Sequence, residues 1–290
     1  MPPQPTEARR VSVFDAPKID CHVHVFDPTR FPYRADTPYR PAGQEIGTAA
    51  QLIAMMDAYG VRRALYVQPN SGYFSDNACM LNMLAQFPDR LRGSAVVALD
   101  TGAAALRRLQ AAGVAGVAIN APMFGVAAYR GIAPLAQRLA DLDLFLEIQV
   151  QDEDLPALLP MIGDAPVKLL IDHCGRPAPE KGPDQPGFRA LLDLGRRLGP
   201  TGRAVVKLGG EATFSRRRFP HEDAWPYQRA LLDAFTPDGC VWGSNWPFLR
   251  AAERIDYGPL LVHLERLIAD PATLRRVLWD TPRRVFGFAD

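Results

Sequence analysis

The sequence predicts a (β/α)8 TIM barrel folded as one α/β domain, and three observations carry that prediction. Eight short apolar runs alternate with eight helix-like segments along the 290 residues. The runs are β-branched or leucine-rich and lack clean period-two alternation, the pattern of parallel strands covered on both faces. Three of the runs end in polar groups, and parallel barrel strands converge at their C-terminal ends, where chemistry is done. At 48% hydrophobic content the chain has ample material for one large core.

Residues 1–16 are proline-rich and polar and read as a flexible lead-in, which leaves 17–290 for the barrel domain. Strands are expected at Lys18–His24, Arg63–Gln68, Gly93–Leu99, Ala115–Asn120, Phe145–Val150, Val167–His173, Ala204–Leu208 and Cys240–Gly243. The helices between and after them are expected at Thr48–Tyr59, Asn77–Gln86, Ala103–Ala112, Pro134–Leu142, Asp154–Ile162, Phe188–Leu198, Trp225–Phe235 and Tyr257–Ile268. The first carries Leu52, Ile53 and Met56 at helical spacing and then Gly60 as a stop signal. An open doubly wound sheet is the competing architecture. It calls for a phosphate-binding glycine turn after the first strand, where this chain has His22-Val23-His24.

A net charge of +1, from 33 basic and 32 acidic residues, gives no electrostatic footprint for nucleic acid. Arg216-Arg217-Arg218, the densest basic cluster, reads either as a solvated loop or as an anion site. The four cysteines, Cys21, Cys79, Cys174 and Cys240, form no C-x-x-C pair and read as buried free thiols of a reducing compartment. Cys174 follows His173, but strand neighbours face opposite sides, which argues against a Cys–His catalytic pair. The chain has no apolar stretch of membrane-spanning length and no apolar leader at its start. A cytoplasmic protein, monomer or homodimer, without membrane or nucleic-acid partners is the expectation.

The chemistry lies at strand ends. His22 and His24 are two apart, so on one strand they share a face and point into the barrel mouth. Such a pair is a half-site for a divalent metal or a pair of donors for an oxyanion. His173 closes the sixth run, and imidazole suits proton transfer near neutrality. Asp172 is expected to point outward and to be structural. Asn245 follows the eighth run; an amide donates and accepts hydrogen bonds but cannot be the general base. Gln68, Asn120, Gln149 and Lys207, at or near other strand ends, outline a polar cup for an oxygen-rich ligand. Arg176 is a candidate clamp for a substrate carboxylate, and Tyr39 and Tyr33 are candidates to cover the cup. His221 and His263 fall in a loop and on a helix and are read as non-catalytic.

Four motifs occur in order: Asp20-Cys21-His22-Val23-His24-Val25-Phe26, Val67-Gln68, Ile171-Asp172-His173-Cys174-Gly175-Arg176-Pro177 and Trp242-Gly243-Ser244-Asn245-Trp246-Pro247. Together with the ending Thr281-Pro282-Arg283-Arg284-Val285-Phe286-Gly287-Phe288 they resemble the amidohydrolase-2 branch of the amidohydrolase superfamily over residues 18–288. The likeness is strongest to the 2-pyrone-4,6-dicarboxylate lactonase group and related sugar-lactone hydrolases. It implies a lactone hydrolase acting on a small-molecule cyclic ester through His22, His24, His173 and Asn245.

Four departures bear on that expectation. Metal-dependent relatives carry a histidine on the fifth strand, where this chain reads Glu147-Ile148-Gln149-Val150, so no cofactor is expected. A divalent metal such as Zn2+ on His22 and His24 is the alternative. The eighth-strand position usually holds an aspartate, the base in lactonase relatives. Asn245 there brings in a lactone isomerase, as in the related galactarolactone isomerase, where a substrate hydroxyl attacks in place of water. A metal-dependent decarboxylase and an inactive ligand-binding homologue are further alternatives. Ala118 stands where the pyrone-dicarboxylate enzymes place a carboxylate-holding arginine, and Phe248 where a histidine is usual. Ala118 points away from an aromatic dicarboxylate and towards a sugar-acid or monoacid lactone, and Phe248 makes the mouth slightly more apolar.

Overall fold

A computed structural model describes residues 12–289. Eight parallel strands pair in sequence order: β1 (Lys18–Val23), β2 (Val61–Val67), β3 (Leu91–Ala95), β4 (Val114–Asn120), β5 (Phe145–Gln149), β6 (Lys168–Ile171), β7 (Ala204–Lys207) and β8 (Cys240–Val241). Eight helices follow them in turn: α1 (Ala49–Ala58), α2 (Ala78–Gln86), α3 (Ala103–Ala111), α4 (Ala133–Asp141), α5 (Asp154–Ile162), α6 (Pro186–Leu198), α7 (Trp225–Phe235) and α8 (Tyr257–Leu267). Short helical turns at Ala121–Phe124 and from Pro271 to Phe286 complete the chain. The barrel closes where Cys21 N–H donates to the Trp242 carbonyl and His24 N–H to the Trp246 carbonyl, each at 2.9 Å. The expected eight-fold alternation is the observed one.

Seven of the eight strands end one to four residues before their apolar runs do. Gly243 shows why at β8. A Cβ there would lie 2.6 Å from the His22 Cβ, so this stretch presses against β1 and leaves the regular ladder early. The expected sixth run ends at Ile171 rather than at His173. Thr48 caps α1, its hydroxyl accepting from the Gln51 N–H, as its place just before an apolar helix suggests.

Inside the barrel, Ile19, Leu65, Phe145, Leu170, Val205 and Val241 form an apolar plug. Phe286 and Phe288 from the C-terminus pack beneath it. The larger core lies between the strands and the helix ring, where Leu52, Leu106, Leu135 and Leu231 are buried. Residues 1–11 of the expected lead-in lie outside the described residues. Residues 12–16 form a turn that buries Val13, with its N–H donating to the Glu265 carboxylate at 3.1 Å.

Among the described residues no helix is long and apolar enough to cross a membrane. All four cysteines are buried and free. The arginine cluster resolves as exposed ion pairs: Arg216 with Glu180, Arg217 with Glu222 and Arg218 with Glu253, at 3.2, 3.4 and 2.9 Å.

Candidate active site

The upper barrel turns polar because two strands depart from simple alternation. Asp20 pairs with Ala64 and Val23 with Tyr66, three steps on β1 against two on β2. This bulge lets Cys21 face the apolar plug while His22, its neighbour, lines the cavity above. His24 then shares the cavity side with His22, and their Nε2 atoms are 3.2 Å apart. On β6, Leu170 faces inward, so Asp172 two residues on does too. The expectation that Asp172 points outward is therefore corrected. It assumed that the strand ran on to His173. Instead His173 adopts φ 47° and Cys174 φ 57°, and this left-handed turn swings the His173 ring inward as well. Gly210 makes room for it, since a Cβ there would lie 2.1 Å from the His173 Nδ1.

Below these rings lies a buried charge cluster. Lys207 forms ion pairs with Glu147 and with Asp172, the latter at 2.8 Å, and its Nζ lies 3.0 Å from the His22 Nδ1. The Asp172 and Glu147 carboxylates lie 3.4 and 3.7 Å from that same nitrogen. Burial works against ionisation of Asp172, but the Lys207 ammonium outweighs it and holds its carboxyl well below the usual range. Burial and the nearby Asp172 charge push Glu147 up to about 8. Burial, reinforced by Lys207, pulls His22 down to about 3, and burial pulls His24 down to about 4. His173 falls well below the ordinary histidine value, through burial and then the His22 ring. All three imidazoles are thus neutral at neutral pH.

Above them opens a cavity of about 570 Å³, lined by His22, His24, His173 and Asn245 together with Gln68, Asn120, Gln149 and Arg176. That volume suits a small organic ligand, for which roughly 300–1,000 Å³ is typical. Asn245 adopts φ 63°, and its N–H donates to the His22 carbonyl at 2.9 Å. The Gln68 amide nitrogen donates to the Phe74 and Asp76 carbonyls, so this side chain also ties down the loop after β2.

Three of the sequence candidates sit elsewhere. Lys207 lies beneath His22 and is not part of the lining. Tyr39 donates its hydroxyl to Glu45 at 2.5 Å and lies under the Arg250 guanidinium, 4.1 Å from the ring centre. It braces the loop after β1 against the loop after β8. Tyr33 donates to the Pro41 carbonyl and packs on Tyr73, another bracing role. His221 and His263 bond within their own region and are absent from the lining. Sequence reasoning missed Asp172 and Glu147 as parts of the site. Strand alternation counted from Leu170 and Phe145 would have found both.

His22, Asp172 and His173 bring ligand atoms within 4.8 Å of one another, a spacing that a metal ion could bridge.

The sequence model of the amidohydrolase family matches residues 19–288, and the chain belongs to that family. A 4-sulfomuconolactone hydrolase of Rhizobium radiobacter is 31% identical over 278 residues, covering 92% of this chain and 89% of that protein. A D-galactarolactone isomerase of Agrobacterium fabrum is 25% identical over 236 residues, covering 80% and 78%. A crystal structure described as a "probable 2-pyrone-4,6-dicarboxylic acid hydrolase" of Acinetobacter baumannii, with citric acid bound, superposes with a TM-score of 0.79. It is 25% identical and covers 93% of this chain and 99% of that one.

Proposed function

We propose that this chain is a lactone hydrolase that opens the cyclic ester of a sugar acid or a related carboxylic acid. One observation carries the reading: three neutral imidazoles and one carboxamide line a single cavity of small-molecule size. A lactone carbonyl lodged among the three imidazoles gains an N–H donor where negative charge develops as the tetrahedral intermediate forms. Asn245 orients the substrate. Arg176, a half-buried cation on the lining, meets a substrate carboxylate. Gln68, Asn120 and Gln149 meet hydroxyl groups.

The chemistry proceeds without a metal. The donor set argues for this, because the Lys207 ammonium already sits against the Asp172 carboxylate and the His22 Nδ1. It takes the place of a cation there, and a second cation beside it would be repelled. A metal assay of the purified protein that finds one equivalent of tightly held zinc would overturn this part.

Isomerisation is the second reading, favoured by Asn245. An amide cannot take a proton from water, whereas a substrate hydroxyl can be held by one while it attacks. A panel of lactones followed by pH indicator and by NMR separates the two. Acid release means hydrolysis; a rearranged lactone spectrum without acid means isomerisation. Asn245→Asp is expected to raise hydrolysis by about 10²-fold or more, because a carboxylate with a pKa of about 4 can accept the proton of water and an amide cannot. Hydrolysis unchanged by that substitution for every lactone in the panel would remove Asn245 from the reaction.

A further inference from the structure

The first-strand histidines belong to a hydrogen-bonded chain whose two ends differ in kind. One end is the Val67 carbonyl oxygen, 2.7 Å from the His24 Nδ1. A carbonyl only accepts, so the His24 Nδ1 carries its hydrogen. In a neutral ring the Nε2 atom then holds a lone pair. That atom faces the His22 Nε2 at 3.2 Å. Two lone pairs so close would repel, so the His22 Nε2 carries a hydrogen and donates. The far end agrees. The Lys207 ammonium only donates, and it lies 3.0 Å from the His22 Nδ1, which must accept. Donation therefore runs from Lys207 to His22 to His24 to Val67, and neither end permits the reverse.

From this one-way chain we infer a division of labour, resting on the lactone reading: His22 presents an N–H to the lactone carbonyl oxygen, and His24 presents a lone pair that takes the proton of the attacking hydroxyl. A substrate entering between the rings replaces the His22–His24 bond and satisfies both nitrogens. The water oxygen bonds to the carbonyl carbon while its proton passes to the His24 Nε2. The carbonyl π electrons move onto oxygen, held by the His22 N–H. Collapse re-forms the carbonyl and breaks the bond to the ring oxygen, which leaves with the proton returned by His24. Lactone and water become a hydroxy acid, and His24 is neutral again. Where a substrate hydroxyl attacks instead, the same transfers yield a rearranged lactone. His24 thus supplies the proton acceptor that Asn245 cannot be. Lys207 is a positioning residue, acting through the tautomer of His22.

Long-range proton–nitrogen NMR of the full chain labelled with ¹⁵N-histidine tests this without any substrate. Five histidines are present, and single His→Gln variants assign their signals. The expected result is His22 with hydrogen on Nε2 and His24 with hydrogen on Nδ1, both neutral at neutral pH. The opposite tautomer at either ring, or a charged ring, overturns the inference. On a lactone that the panel finds to be turned over, His24→Gln is expected to lose kcat by about 10²–10⁴-fold. His22→Gln, whose amide still offers an N–H, should lose at least about tenfold less. Equal losses would also overturn the inference. If no lactone reacts, the lactone reading fails while the tautomers still report on the chain.

Discussion

Lys18 and Lys207 are both fully buried, at opposite ends of the barrel, and their surroundings have little in common. Lys18 starts β1 and donates to the Tyr59 and Phe14 carbonyls at 2.7 and 3.1 Å. Burial pulls it down to about 8. Lys207 ends β7 against Glu147 and Asp172, whose carboxylates outweigh the cost of burial and hold its proton more firmly than usual. Carbonyl dipoles suffice where an ammonium only closes the floor of the barrel. A fixed charge beside the imidazoles needs carboxylates, because only an ammonium that stays protonated can dictate which nitrogen of His22 carries a hydrogen. The comparison separates an end built for stability from an end built for chemistry.

Substitution at the mouth should cost rate. His173→Ala is expected to lower kcat/KM by about 10²–10⁴-fold, while the urea midpoint moves little. A loss under tenfold would leave His173 a wall of the cavity and no more. Next in size is the contrast between the lysines themselves. Lys207→Met leaves the buried Asp172 carboxylate without its cation and should cost about 3–5 kcal/mol of stability. Lys18→Met leaves two carbonyls unpaired and should cost about 1–3 kcal/mol. Equal costs in urea denaturation would erase the distinction between the two ends.

The pH dependence of stability sharpens the comparison further. His22 and His24 lie near 3 and 4 in the folded chain against an ordinary 6.5. Below pH 6.5 the unfolded chain therefore binds protons that the folded one refuses, and stability falls as pH drops towards 4. Glu147 works in the opposite direction. Its carboxyl lies near 8 when folded against an ordinary 4.5, so stability falls as pH rises from 4.5 to 8. The depressed histidines, His173 included, make stability fall on the acid side, and Glu147 makes it fall towards pH 8. Urea midpoints measured across this range check the shape. Glu147→Gln should flatten the alkaline side, and an unchanged alkaline fall would clear Glu147 of it.

The smallest expected effect concerns binding. Arg176→Met should raise KM for carboxylate-bearing lactones by about tenfold and leave kcat nearly unchanged, because it removes a contact made equally before and during the reaction. An equal change for lactones without a carboxylate would assign Arg176 to packing.

The barrel was legible because strand and helix periods are local, and His22 and His24 were legible as a pair because spacing by two survives the bulge that carries them. The register of that bulge was not, since nothing between Asp20 and Val23 marks an extra residue. Asp172 was misread for a related reason. Its direction depends on where β6 stops, and that is decided by the left-handed turn at His173 and Cys174.

Lys207 and Glu147 were visible in the sequence as single polar residues in apolar runs. Their partnership was not, because 60 residues separate them and only barrel closure brings their side chains together. By itself the sequence determined which chemical groups are present and which strands carry them: imidazoles, an amide, buried carboxylates and a buried ammonium. Tertiary structure decided which nitrogen faces which donor, since the protons on a histidine ring answer to neighbours supplied by other strands. The proposed division between a ring that stabilises charge and a ring that takes a proton rests on that orientation.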